Sequence, residues 1–187
     1  GMTATSSRHA DFVSRTNRAA LHIKPDGTWQ ARLKRDADAQ APAGGVSSSA
    51  RDLAQWLRLE LGKGKYEGRQ LIAAEAIAET HVPLMTRGDN PVTGSASFYG
   101  LGWNVEFGRY GLMWGHAGAF SVGARTLVSI YPKSDLGLII LSNAFPTGVP
   151  EGIADSFADL VFAGNVTRDW ITPWNAAYDA LFGPAHE

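Results

Sequence analysis

The chain has 187 residues, 44% of them hydrophobic, and this size predicts a single domain over residues 1–187 with a substantial core. Its net charge of −1 argues against a nucleic-acid partner, because no surplus of lysine and arginine exists to neutralise phosphates. The chain has no cysteine, which excludes disulfides, thiol nucleophiles and thiolate metal sites.

The first half of the chain predicts a hairpin and two helices. Pro25-Asp26-Gly27 lies between two short runs, 19–23 and 28–33, and this turn chemistry predicts a hairpin. Ser49, with Asp52 three residues later, has the form of a capping box. A helix follows it and ends at the glycines of residues 62–64, and residues 73–81 predict a second helix. The apolar face of the first helix carries Leu53, Trp56, Leu57 and Leu61.

The second half of the chain predicts an antiparallel sheet and a terminal helix. Residues 86–96 have the composition of a loop, and four strands are predicted after them. The connections are too short for crossovers, so neighbouring strands should pair antiparallel. A helix is predicted over 151–163, and an aromatic tail over 170–182 is expected to pack. The fold class is therefore α+β, an antiparallel sheet with flanking helices. The predicted strands are 98–107, 112–120, 122–131 and 136–141.

Familiar catalytic signatures are missing from the chain. No lysine has a serine three residues before it, so Ser-x-x-Lys is absent, and Tyr-x-Asn is absent as well. No histidine pair has the spacing of a zinc protease, so no metal site is predicted. The serines of 47–49 are interpreted as cap and turn residues. His22 and His81 are expected at the surface, and Tyr99 and Trp103 in the core.

Five stretches, in order over residues 1 to about 163, resemble the C-terminal half of the serine β-lactamase and penicillin-binding-protein-like hydrolases. Among these proteins the class C β-lactamase and esterase branch is the most similar. The matching stretches are Gly1-Met2-Thr3-Ala4-Thr5, the run 43–56 (AGGVSSSARDLAQW), Tyr99-Gly100-Leu101-Gly102-Trp103, Gly115-His116-Ala117-Gly118 and the run 138–143 (LIILSN). The fourth resembles the family's third active-site motif, elsewhere Lys-Thr-Gly.

The resemblance implies that the strand around His116 is one wall of an acyl-transfer site. His116 takes the polar first position of the motif, and Gly118 lets the acyl group approach the backbone. The Ala119 N–H would be one oxyanion donor. Trp114, Ala117 and Phe120 are expected to contact substrate, although a core position is an equal alternative for Trp114.

The family implies an ester, amide or lactam substrate, but this chain has no recognisable nucleophile. In the intact family, Ser-x-x-Lys and Tyr-x-Asn lie upstream of the stretch that matches residues 1–5. Met2 would be either an internal methionine taken as a start or the true start of a broken gene, with Gly1 left by a cleaved tag. On this interpretation the chain is inactive alone and needs a nucleophile-bearing half. No cofactor is implied.

The alternative hypothesis is a non-catalytic binding or assembly module derived from the same fold. Half a domain should leave apolar surface uncovered, which predicts either a homo-oligomer or a need for the other half in trans. The sequence contains neither a membrane-spanning apolar run nor a signal peptide. Intact members of the family are often periplasmic or secreted, so the location of this protein stays open.

Overall fold

The computed structural model describes residues 1–182 and confirms an α+β architecture. Its helices are α1 (His9–Ser14), α2 (Ala41–Gly44), α3 (Ala50–Leu61), α4 (Ala74–Thr80), α5 (Val149–Ala163) and α6 (Ile171–Phe182). Its strands are β1 (Lys65–Tyr66), β2 (Arg69–Gln70), β3 (Met85–Asp89), β4 (Ala96–Tyr99), β5 (Asn104–Gly108), β6 (Gly111–Phe120), β7 (Ala124–Tyr131) and β8 (Leu136–Ser142). None of the helices within residues 1–182 has the length and apolar character of a membrane span.

The main sheet follows the chain strand by strand. Its order is β3-β4-β5-β6-β7-β8, and every neighbouring pair is antiparallel, as the short connections predict. β6 is the longest strand and lies inside the sheet between β5 and β7. A separate small hairpin, β1-β2, follows α3.

Helix α3 begins and ends where the sequence predicts, and it packs against the sheet. The Ser49 hydroxyl accepts a hydrogen bond from the Asp52 N–H at 3.2 Å, which satisfies one of the free donors of the first turn. Its residue Leu57 forms the core with Trp103 and Ile130, each at most 6% exposed. Trp56 stacks on Trp103 with ring centres 5.3 Å apart. The prediction of a core Trp103 is therefore confirmed.

The Asp52 side chain differs from its predicted role as a capping partner. Its carboxylate accepts from the Ala4 N–H at 2.7 Å and from the Thr5 hydroxyl at 2.8 Å. Burial works to raise the pKa of Asp52, but these bonds and one from Ser49 outweigh it and lower that pKa. Asp52 therefore ties the first residues of the chain to the start of α3.

Two predictions about the edge of the sheet were wrong. Part of the predicted loop 86–96 is strand β3, all of whose residues are exposed. Because backbone pairing with β4 forms this edge strand, no alternation of apolar residues marks it. The predicted strand 98–107 is two strands, since the Gly100 N–H bonds to the Trp103 carbonyl at 2.8 Å and Gly102 has a φ of 85°. That turn requires a left-handed residue.

The predicted hairpin over residues 19–33 is reduced to one bridge. Ile23 pairs with Gln30, and a short 3₁₀ turn over Pro25–Gly27 joins them.

His81, expected at the surface, is 5% exposed. Its ring stacks on Trp114 with centres 3.7 Å apart, and its Nε2 lies 3.8 Å from a Glu60 oxygen. Burial lowers the pKa of His81 to about 4, so the ring is neutral at pH 7.

The C-terminal helices pack partly as expected. Trp170 and Tyr178 are buried, whereas Leu181 and Phe182 are exposed. α5 contacts α6 and strands β7 and β8, and α6 places Tyr178 near the end of β7 that carries Arg125. The tail therefore contributes to the region beside β6.

Candidate functional site

Strand β6 is paired on both sides only as far as Gly115. Gly115 faces Asn104, the first residue of β5, so β5 does not extend beside the strand beyond that point. β7 continues on the other side, pairing His116 with Val128 and Phe120 with Ala124. Residues 116–120 therefore form a half-open edge inside a six-stranded sheet. At such an edge, backbone N–H and C=O groups are accessible to a ligand.

A cleft of about 540 Å³ lies at this half-open edge. Five strands, β3 to β7, and helix α6 contribute to its wall, and the lining includes two arginines and one histidine. None of the lining residues is a serine or a lysine. The complete lining is Met85, Thr86, Arg87, Tyr99, Asn104, His116, Ala117, Arg125 and Tyr178.

His116 contacts Tyr99 inside this cleft. Nε2 of His116 lies 3.2 Å from the Tyr99 hydroxyl oxygen. Partial burial lowers the pKa of His116, and the positive charges of Arg87 and Arg125 lower it further. The ring is therefore neutral at pH 7, since its ordinary pKa is 6.5. Arg87 donates to the Asn104 side-chain oxygen, and its guanidinium lies 6.0 Å from the centre of the Tyr99 ring.

A buried ion pair supports the other end of the cleft. Arg125 contacts the Glu151 carboxylate, and both side chains are at most 7% exposed. The Tyr178 hydroxyl donates to the same carboxylate at 2.9 Å, and the Arg125 guanidinium lies 4.7 Å from the centre of the Tyr178 ring. Burial raises the pKa of Glu151 and lowers that of Arg125, whereas the direct contact between the two groups favours the charged form of each.

Arg125 also reaches the motif strand directly. Its Nη1 donates to the Gly118 carbonyl at 3.3 Å. A Cβ at Gly118 would lie 2.7 Å from the Thr126 hydroxyl oxygen, closer than such atoms approach. The glycine at this position therefore has a local packing reason that is independent of substrate.

The six predicted site residues fall in four places. His116 and Ala117 line the cleft. Gly118 and the exposed Ala119 continue along the half-open edge just beyond it. Trp114 instead packs against the core and stacks on His81. Phe120 lies in a second hollow of about 390 Å³, with the Arg35 guanidinium 3.3 Å from its ring centre. The structure therefore does not bring Trp114 or Phe120 to the His116 cleft.

Sequence reasoning predicted none of the other residues that line the cleft. Tyr99 was expected in the core but lies partly exposed in the cleft. Arg125 carried a usable signal, because an arginine inside an otherwise uncharged strand is rarely buried without a partner. Arg87 lies in the unpredicted strand β3 and gave no comparable signal. No three histidine, aspartate or glutamate side chains in the described part of the chain converge as metal ligands.

Comparison with known proteins identifies the family. A family model described as Beta-lactamase matches residues 1–162. A solved structure with a similar fold is that of the octameric penicillin-binding protein homologue from Pyrococcus abyssi. It has a TM-score of 0.69 and 19% sequence identity, and the match covers 90% of this chain but 36% of that chain. No curated protein matches. The family model spans most of the sequence, and the chain therefore belongs to the β-lactamase family.

Proposed function

We propose that this chain supplies one wall of a serine hydrolase site that cleaves an ester, amide or lactam through an acyl-serine. The observation that carries the proposal is the cleft at the half-open edge of β6, where His116 contacts Tyr99 at 3.2 Å. Its volume of about 540 Å³ suits a small-molecule substrate. The family match over residues 1–162 supports the reaction class.

His116 is the proton-transferring group of this wall. Its lowered pKa keeps the imidazole neutral at pH 7, and a neutral imidazole can accept a proton from an attacking hydroxyl. The Ala119 N–H, on the exposed part of β6, is the oxyanion donor that this wall contributes. Ala117 lines the cleft and is the neighbouring contact for the acyl group.

The nucleophile comes from a segment that is not among these 187 residues. No serine or lysine lines the cleft, and no Ser-x-x-Lys occurs in the sequence. An acyl-serine pathway requires an activated hydroxyl within hydrogen-bond reach of its base. The chain spans 36% of the structurally similar protein, which leaves room for such a segment in a longer polypeptide or a partner chain.

The first experiment is covalent labelling with a fluorophosphonate. The coding DNA upstream of Met2 is sequenced, and the longest open frame that includes residues 1–187 is expressed beside the chain itself. We expect the longer protein to be labelled on a Ser-x-x-Lys serine outside the chain. His116→Asn should slow that labelling by about a hundredfold, since general base catalysis contributes roughly 10²–10⁴-fold.

The matched control is His22→Asn, which changes a histidine that bonds to Asn143 and does not line the cleft. It should leave the labelling rate unchanged. Stoichiometric labelling of any serine within residues 1–187 would refute the claim that the nucleophile lies elsewhere. An upstream frame without Ser-x-x-Lys, or equal labelling of wild type and His116→Asn, would also contradict the proposal.

A second candidate function is an assembly module, and a specific surface favours it. Val82, Leu84, Met85 and Leu101 are each 44–69% exposed. They are neighbours, because the Leu84 N–H bonds to Tyr99 and the Leu101 N–H bonds to Thr80. We call these four residues the edge patch. The structurally similar penicillin-binding protein homologue is octameric, and a homo-oligomer built through the edge patch would bury this apolar surface.

A further inference from the structure

The peptide bond between Gly118 and Ala119 presents one polar group on each side of β6. The Phe120 carbonyl accepts from the Gly123 N–H at 2.9 Å, so it faces the side on which β7 lies. The backbone groups of successive residues in a strand face opposite sides, so the Gly118 carbonyl faces β7 as well. The C=O and the N–H of a trans peptide point in opposite directions. The Ala119 N–H therefore faces the half-open edge.

Arg125 donates a hydrogen bond to the carbonyl of this same peptide. Its Nη1 lies 3.3 Å from the Gly118 oxygen. Arg125 is the residue of β7 that pairs with Ala119, so its side chain starts beside the peptide. A hydrogen bond accepted by the carbonyl draws electron density through the delocalised amide, away from the nitrogen. The Ala119 N–H is thereby a stronger donor on the opposite side of the strand.

Buried partners hold the guanidinium in this place. Arg125 is 6% exposed and contacts the Glu151 carboxylate. The Tyr178 hydroxyl donates to that carboxylate at 2.9 Å, and the Tyr178 ring centre lies 4.7 Å from the guanidinium. Glu151 belongs to α5 and Tyr178 to α6. The two C-terminal helices therefore order a long side chain whose freedom would otherwise be costly to lose.

We propose that Arg125 is a positioning residue, whose guanidinium fixes the plane of the Gly118–Ala119 peptide and strengthens the Ala119 N–H as a donor to an oxyanion. Such donors stabilise developing charge most when they are oriented before the reaction. Beside residues 116–120 the sheet continues only on the β7 side, so a bond from β7 is the one that can hold this peptide. The catalytic part of the inference rests on the proposed function, whereas the hydrogen bond itself does not.

The orientation of the peptide is tested first, by amide hydrogen exchange of the unmodified chain followed by NMR. The Ala119 N–H should exchange at least about tenfold faster than the N–H groups of Gly118 and Phe120, because these two face β7 and are protected by the sheet. An Ala119 N–H as protected as its two neighbours would overturn the inference. This measurement needs no variant and no nucleophile.

The hydrogen bond is tested next, in the double variant Arg125→Met/Glu151→Gln. Removing both charges together leaves no unpaired buried ion, so the fold should be retained. The ¹³C resonance of the Gly118 carbonyl and the ¹⁵N resonance of Ala119 should both move upfield, because the bond that deshields them is lost. Unchanged resonances would overturn the inference.

The matched control for the NMR shifts is Arg87→Met. Arg87 lines the same cleft, but it donates to the Asn104 side chain. This variant also removes a positive charge from the cleft, and it should leave the Gly118 ¹³C and Ala119 ¹⁵N resonances in place. Equal shifts in Arg87→Met would mean that the charge of the cleft, and not the bond from Arg125, sets these resonances, and would overturn the inference.

The catalytic part is tested by fluorophosphonate labelling of the longer protein. The double variant should slow labelling by about tenfold, less than the roughly 10²–10³-fold cost of losing a whole oxyanion donor. Slower labelling in His116→Asn with no change in the double variant would overturn the positioning role and leave the proposed reaction standing. Labelling that ignores His116→Asn, together with the expected NMR shifts, would remove the proposed reaction and leave the bond from Arg125 to the peptide.

Discussion

At the scale of single residues, the Arg125–Glu151 pair is the main electrostatic constraint on the cleft. Arg125 lines the cleft, bonds to the Gly118 carbonyl and is one of two arginines that lower the pKa of His116. Glu151 lies in the first turn of α5, where the positive end of the helix dipole favours a carboxylate. The pair therefore links α5 to the strand that follows the motif.

Replacing Glu151 with glutamine should weaken the fold and change the titration of His116. The variant leaves the buried Arg125 charge without its counter-ion, and we expect unfolding free energy to fall by about 3 kcal/mol. The uncompensated charge should also lower the pKa of His116 further. Urea unfolding at pH 8 measures the first effect, and NMR titration of His116 measures the second.

Glu79→Gln is the matched control, since Glu79 lies on α4 and makes none of these contacts. This substitution should leave both the unfolding free energy and the pKa of His116 unchanged. An unaltered stability in Glu151→Gln would mean that Arg125 finds another partner. A raised pKa of His116 in that variant would contradict our inference that the positive charge of Arg125 lowers this pKa.

At the scale of elements, a buried aspartate fixes α5 to its surroundings. Asp159 is 0% exposed and accepts from the Tyr110 hydroxyl at 2.8 Å and the Trp170 indole at 2.6 Å. It also bonds to Arg109 and to Thr167. These contacts connect α5 with the β5–β6 turn and with the segment that leads into α6. Burial alone would raise the pKa of Asp159, but the bonds from Thr167, Trp170 and Tyr110 outweigh it and hold that pKa well below its usual range.

Asp159→Asn should therefore destabilise the protein by about 3 kcal/mol, because one partner of a buried, fully bonded charge is lost. Asp159 has a lowered folded-state pKa, so its contribution is complete above the unfolded value of 3.8 and is lost as the pH falls further. The stability of wild type should decline more steeply below pH 4 than that of the variant. Thermal unfolding at several pH values measures how steeply the stability of each protein declines.

Asp135→Asn serves as the control for this substitution. Asp135 is an exposed turn residue with a φ of 50°, a conformation that asparagine tolerates. The stability of Asp135→Asn, and the way this stability changes with pH, should match those of wild type. If the stability of wild type and that of Asp159→Asn decline equally steeply below pH 4, Asp159 is not the group whose ionisation stabilises α5.

The elements that sequence reasoning predicted are those whose signals are local. α3 has a capping serine at Ser49 and terminal glycines within a single stretch, so its bounds could be predicted. β3 could not, because an edge strand exposed on both faces needs no apolar pattern. The same division applies to the site: His116 was predicted from a short motif, whereas its contact with Tyr99 and the Arg125–Glu151–Tyr178 cluster depend on long-range pairing.

At the scale of the whole molecule, the edge patch gives the most direct test of the assembly hypothesis. It adjoins the cleft, because Met85 belongs to both. If copies of the chain associate there, they bury Leu84 and Leu101, which are 58% and 53% exposed in the single chain. A buried leucine side chain contributes roughly 1.5–3 kcal/mol, or about tenfold or more in affinity.

Leu84→Glu and Leu101→Glu should each weaken self-association by at least about tenfold, because a carboxylate replaces an apolar contact. Sedimentation equilibrium across a range of protein concentrations measures the dissociation constant. Val46→Glu is the control, since Val46 is 63% exposed but lies beside the Ser6–Ser47 bridge rather than in the edge patch. A wild-type chain that stays monomeric and binds no hydrophobic dye would refute the edge patch as an interface. An oligomer disrupted equally by Val46→Glu would place the contact elsewhere on the molecule.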